Sequence, residues 1–146
     1  MKIIQKDKGF TLIELVVTVA VMAIIASMAA PAYTSMMLNQ NLNKSARELA
    51  LVLSDARAKA TLERREVKVA LNSTDINTKN QLNWKPAGKA TLKTGSQTQI
   101  TFLPTGLAKN VNAVNFEICS EASGSISKIV TVSRMGNIEI MKEGTC

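Results

Sequence analysis

The stretch Lys8-Gly9-Phe10-Thr11-Leu12-Ile13-Glu14 opens an apolar run that continues to Ala30 and carries no other charge. Its 21 residues, at about 1.5 Å of helical rise each, match the roughly 30 Å hydrocarbon core of a bilayer. A carboxylate costs on the order of 2.5–3.5 kcal/mol at the centre of a spanning helix, and less near its end. The ten Phe, Leu, Ile and Val residues between Phe10 and Ala30 supply roughly 3–6 kcal/mol of favourable insertion. The segment therefore enters a bilayer, and Glu14 arrives there without a cation in its own run. An intramembrane acid of this kind marks a functional site and requires a positive charge from elsewhere.

Two plainer accounts of the N-terminus compete. A cleavable secretory signal would use Lys2, Lys6 and Lys8 as its basic region and Ala30-Pro31-Ala32 as its small-residue pattern. The apolar run is longer than the roughly 7–15 residues of such a signal, and an acid inside one is unusual. A plain single-pass anchor fits the length but leaves Glu14 unexplained. In either case the Lys-rich end stays cytoplasmic and residues beyond Pro31 face outward.

Gly9-Phe10-Thr11-Leu12-Ile13-Glu14 resembles the class III signal of type IV pilins and of the pseudopilins of type II secretion. The resemblance implies cleavage between Gly9 and Phe10 by a prepilin peptidase, which then N-methylates Phe10. It also implies that Glu14 pairs with the ammonium of Phe10 on a neighbouring subunit, which supplies the missing cation. Pro31 matches the proline at which the protruding helix of such pilins bends. On physical grounds alone it should kink or locally interrupt a helix, because it lacks a backbone donor and crowds the preceding turn.

The 146 residues allow one membrane helix and one outward domain of about 115 residues, enough for a modest core. Loss of residues 1–9 removes three lysines and one aspartate and lowers the formal charge from +7 to +5. These charges are scattered, with Arg64-Arg65 the only adjacent basic pair. They are read as a solvated surface, with attraction to DNA or anionic surfaces as the alternative. Cys119 and Cys146 both fall on the outward side, where oxidation is expected, and are read as a disulfide. Closing that loop contributes roughly 3.5 kcal/mol in the chain-entropy account. Two cysteines without any histidine make a poor metal site.

Beyond Pro31, Leu38, Leu42, Ala46, Leu49, Leu53, Ala56 and Ala60 recur at helical spacing. Asn41, Lys44, Arg47, Asp55, Lys59 and Glu63 lie on the opposite face, so an amphipathic helix is expected to about Arg64. The period then drops to two. Val67, Val69 and Leu71 alternate with polar residues before a turn at Asn72-Ser73-Thr74-Asp75. Further short strands are expected around Leu82 and Trp84, Thr91 and Leu92, Ile100 and Phe102, Val114 to Ile118, Val130 and Val132, and Ile138 to Ile140. One long helix against a mainly antiparallel sheet, an α+β fold, is the result.

Ile100-Thr101-Phe102-Leu103-Pro104-Thr105-Gly106, Phe116-Glu117-Ile118-Cys119 and Ile129-Val130-Thr131-Val132-Ser133 before Gly136 resemble the GspH/FimT domain. That domain occurs in minor type IV pilins of the FimT and FimU kind and in the minor pseudopilin GspH. FimT proteins implicated in DNA uptake share a Gly-Arg-x-Arg motif at the last hairpin. Here it reads Gly136-Asn137-Ile138-Glu139, so both arginines, with their bidentate donors to phosphate, are missing. This weighs against DNA as a partner through the hairpin and leaves Arg134 and Lys142 as the candidate phosphate contacts, among Glu139 and Glu143.

No histidine is present to act as a general base, the carboxylates form no motif-like pair, and the glycines read as turn punctuation. No catalytic residue, metal or cofactor is expected. The pilin resemblance implies a type IV pilin fold with residues 1–9 as leader, 10–31 as a transmembrane and filament-core helix, and 32–146 as a periplasmic domain. It implies a minor pilin of a pilus tip or initiation complex, with a type II secretion pseudopilin and a DNA-binding minor pilin as alternatives. It also implies single-pass residence in the bacterial inner membrane, then in a pilus or pseudopilus. Its partners would be other minor and major pilins, the prepilin peptidase/N-methyltransferase and, before assembly, inner-membrane lipid.

Overall fold

A computed structural model describes residues 9–146, the side chains of 141–143 excepted. The basic leader with Lys2, Lys6 and Lys8, and the side chain of Lys142, fall outside the described residues. One helix, α1 (Leu12–Leu62), precedes seven strands: β1 (Val67–Leu71), β2 (Gln81–Trp84), β3 (Thr91–Leu92), β4 (Gln99–Phe102), β5 (Val114–Cys119), β6 (Ser127–Val132) and β7 (Ile138–Gly144). The chain divides into two compact units, the first ending at Met36 and the second spanning Met37–Cys146.

In the first unit the helix buries none of its apolar side chains. Its most apolar window has a mean hydropathy of 2.4, and the helix is long and apolar enough to cross a membrane. Its few hydroxyls are turned inward on the backbone. Thr18 donates to Leu15 O at 2.8 Å, Ser27 to Ile24 O at 2.7 Å, and Thr34 to Ala30 O at 3.1 Å. Such back-bonding hides a polar group that hydrocarbon would penalise. The helix passes through Pro31 without a break, so the expected local interruption does not occur.

In the second unit, Leu42, Ala46, Leu49, Leu53, Ala56 and Ala60 form the buried stripe of α1, with Leu38 half-buried above it. Full burial of a leucine stabilises by about 1.5–3 kcal/mol, which makes Leu49 and Leu53, both at 0% exposure, principal anchors. Ser45 lies within the stripe and is also buried. It donates to Asn41 O at 2.7 Å and accepts from Ala87 N at 2.8 Å, fixing the loop after β2 to the helix. The helix ends at a left-handed Arg64 (φ 50°), and Arg65 N reaches back to Ala60 O at 3.2 Å, a Schellman-type closure.

The strands alternate as expected, with Val67, Val69, Leu71, Ile100, Phe102, Phe116, Ile118, Val130 and Val132 all in one core with the helix stripe. They divide into two sheets, ordered β2-β1-β4 and β3-β5-β6-β7. All pairings are antiparallel except β1 with β2, which run parallel. The turn after Leu71 therefore does not make a hairpin. The chain returns beside β2, where Thr78 N donates to Gln81 O at 2.8 Å and Asn83 N to Asn77 Oδ1 at 2.7 Å. The expected turn at residues 72–75 is present, with Ser73 N donating to Trp84 O at 3.1 Å, and it is Asn77 and Thr78 beyond it that bond along the outer edge of β2. Replacing Ser45 by Ala should leave the half-buried Ala87 N without its partner, costing about 1 kcal/mol. Denaturant unfolding of the full chain in detergent checks this through its midpoint.

Candidate assembly site

Gly9 and Phe10 precede α1 as exposed coil, and nothing crowds Gly9. Thr11 is the helix N-cap. Glu14 N donates to Thr11 Oγ1 at 3.3 Å, and Leu15 N donates to Thr11 O at 3.2 Å. Thr11-x-x-Glu14 thus has the spacing of a capping box, with Glu14 in the first turn, where the helix dipole favours an anion. The Glu14 side chain is exposed on an otherwise apolar surface. No cation pairs with it among the described residues.

The last hairpin, where two arginines would mark a nucleic-acid contact, is closed by a turn in which Gly136 N donates to Ser133 O at 2.9 Å. Gly136 has φ 78°, and a Cβ there would collide with Gly106 O and come within 2.8 Å of Arg57 Nε. Only glycine fits. Arg57, half-buried on α1, donates through Nε to Gly106 O at 3.1 Å and through Nη2 to Met135 O at 3.1 Å. One guanidinium thereby holds two turns against the helix. Arg134 is exposed, with its carbonyl accepting from Ala108 N at 3.0 Å. Arg134 does not come together with Arg57 into a phosphate cradle, because Arg57 is committed to carbonyls.

Cys119 at the end of β5 is bonded to Cys146 across a Cα–Cα distance of 5.9 Å. Beside the bond, Lys93 Nζ lies 2.8 Å from Glu117 Oε2 and donates to Thr145 O at 3.2 Å. Ser127 Oγ donates to Glu117 Oε1 at 2.7 Å. The Lys93 contact first, and the Ser127 hydrogen bond second, hold the Glu117 carboxyl below its ordinary value of 4.5. Among the described residues no cluster of metal-ligating side chains occurs.

Two family models match the chain. The prokaryotic N-terminal methylation motif covers residues 4–30, and the type II transport protein GspH covers residues 45–136. The chain belongs to the GspH family of type IV pilin-like proteins. The fold agrees with it. The type IV minor pilin FimU of Pseudomonas aeruginosa PAO1, in its P21 crystal form, is 19% identical with a TM-score of 0.57, covering 74% of this chain and 96% of its own. The P65 form gives 19%, 0.55, 72% and 99%. No curated protein sequence matches.

GspH-family subunits are structural rather than enzymatic. The methylation motif and the apolar helix together indicate membrane anchoring, and family membership implies contact with other pilins and with the prepilin peptidase. Two features of this GspH-family chain escaped the sequence reading. The Thr11 cap was legible from the Thr-x-x-Glu spacing before an apolar run. The Arg57 clamp was not, since its partners lie 49 and 78 residues away. The Glu117 cluster yields a pH prediction. Because the folded-state value is lowered, its stabilisation is present above the unfolded value and is lost as pH falls through the folded one. At pH 7, Glu117→Gln should melt a few °C below the wild type, and the gap should close as pH falls below the ordinary value of 4.5 and through the lowered folded-state one. Thermal melts of the full chain in detergent across pH test this. A gap unchanged at low pH would assign the effect to packing instead.

Proposed function

We propose that this chain is a minor type IV pilin of the FimU/FimT kind, a structural subunit of a pilus tip or initiation complex. Residues 1–9 are removed as a leader, Phe10 becomes the N-methylated terminus, residues 10–31 reside in the inner membrane, and residues 32–146 face the periplasm. The observation that carries this reading is Glu14, a lone carboxylate exposed on an apolar helix with no cation beside it among the described residues. Released by cleavage, the ammonium of Phe10 on a neighbour is a cation of the right sign at the right depth. In a water-poor filament core such a pair is rewarded only when its geometry is good, so it selects register. Pro31 gives the helix a point at which it can bend during packing.

The mass of the N-terminal peptide from mature protein should correspond to a chain beginning at monomethylated Phe10. A product beginning near Tyr33 would overturn the reading. Glu14→Ala should still be cleaved and membrane-bound yet be lost from sheared filaments; normal incorporation would refute the register role.

The match to the type II transport family favours a second reading, a minor pseudopilin that helps to push exoproteins outward. A deletion strain separates the two. Loss of twitching with secretion intact supports the pilus, and retained exoproteins with normal twitching support the pseudopilus.

A further inference from the structure

The second unit begins at Met37, and the end at which α1 enters it carries a small notch. Asn39, Leu42 and Asn43 line one wall and Ile126 and Lys128 the other, around a volume of 290 Å³. Lys128 pairs in register with the core residue Ile118, so its stem runs on the face of the sheet that meets the helix. Asn39 and Asn43 stand one turn apart on α1 and open onto the same space. Ile126 is 40% exposed, and its carbonyl accepts from Ser120 N at 2.9 Å, which fixes the turn that carries it. Neither carboxamide nor the ammonium has a hydrogen bond or ion pair among the described residues. No acid lines the notch, since Glu121, in the same turn as Ile126, lies outside it. The groove between α1 and β7, by contrast, is lined by both Arg47 and Glu139 and has no such bias.

One cation and two amide donors beside an apolar wall suit a phosphodiester with hydrocarbon attached to it. The chain brings such a group within reach. Asn39 follows the apolar run by nine residues, roughly 14 Å along a helix, and headgroups add roughly 5–7 Å to each side of the hydrocarbon core. Tyr33, 66% exposed, is of the type that settles in the headgroup layer, and Met36 and Met37, also exposed, continue the apolar surface toward Asn39. The flexible stem of a lysine lets its ammonium seek a phosphate at that level. We propose that the notch holds the phosphate of an anionic phospholipid from the bilayer in which the chain is anchored. Lys128 is its counter-ion, Asn39 and Asn43 donate to its oxygens, and Ile126 meets the junction of glycerol and acyl chain. The contact holds the domain at the membrane surface while the chain is stored there, and it is given up when the helix leaves the bilayer. The inference rests on membrane residence and is the same for a pilus or a pseudopilus subunit.

The test places the full chain, with a benzophenone amino acid in place of Ile126, in vesicles of equal phosphatidylethanolamine and phosphatidylglycerol. After irradiation the adducts are identified by mass. Phosphatidylglycerol adducts should exceed phosphatidylethanolamine adducts about fivefold, the preference one cation near an anionic surface confers. Lys128→Gln should bring the ratio close to one. Lys59→Gln, in the last turn of α1 beside Asp55, should leave it unchanged. An even ratio at the start, a ratio indifferent to Lys128→Gln, or adducts to a second copy instead of lipid would each overturn the proposal. So would suppression of the lipid adducts by inorganic phosphate beyond that by chloride of equal ionic strength, which would assign the notch to a soluble anion. Alkaline extraction is scored in parallel. A chain released from the vesicles sinks membrane residence and this site with it, whereas a chain that stays embedded without the lipid preference sinks the notch alone.

Discussion

A carboxylate on a hydrocarbon-facing helix is tolerated only if several partial remedies add up. Glu14 has two within its own chain. It lies in the first turn of α1, near the end where the insertion penalty is smaller, and Thr11 caps that turn so that the helix dipole is well formed beneath it. A dipole contribution of about 0.3–1 kcal/mol offsets only part of a penalty on the order of 2.5 kcal/mol. The remainder is what a cation from another molecule can cancel. The cap therefore gives Glu14 a local role and leaves most of its charge uncancelled within the chain.

From that constraint the division of α1 follows. The first unit can be apolar all round because a helix satisfies its interior backbone amides itself and the hydroxyls of Thr18, Ser27 and Thr34 lean back onto carbonyls. The second unit must restrict apolar residues to a stripe, because water lies on its other face. Small residues at Ala46, Ala56 and Ala60 let strands approach closely, while Leu49 and Leu53 fill the space between. Pro31 falls before the stripe begins and removes no contact that the core needs.

The stripe was legible in the sequence because its period is set by the helix itself, and the strands were legible because Val67-x-Val69-x-Leu71 and Val130-x-Val132 alternate cleanly. Which strand lies beside which was not. A parallel β1–β2 pair normally needs a longer crossover. Here the polar residues from Ser73 to Asn80 make it possible by bonding sideways to β2, a use that composition cannot distinguish from a hairpin turn. The methylation signal was legible in full because it is a local string. The groove beside β7 was invisible, because Leu51 falls outside the buried stripe and Ile140 read as an ordinary member of a strand.

The last hairpin shows why a motif position can lose one role and keep another. Gly136 stands where a phosphate-binding version would place its glycine, and the backbone still requires it, since a Cβ would strike Gly106 O and crowd Arg57. The arginines that would follow have become Asn137 and Glu139, both exposed. Meanwhile the guanidinium nearest the turn is spent on two carbonyls, Gly106 O and Met135 O, which hold the hairpin to the helix. A donor fork used for internal carbonyls is not free for an external phosphate. The turn is thus retained for packing. Glu139, which also lines the groove between strand and helix, adds repulsion toward phosphate.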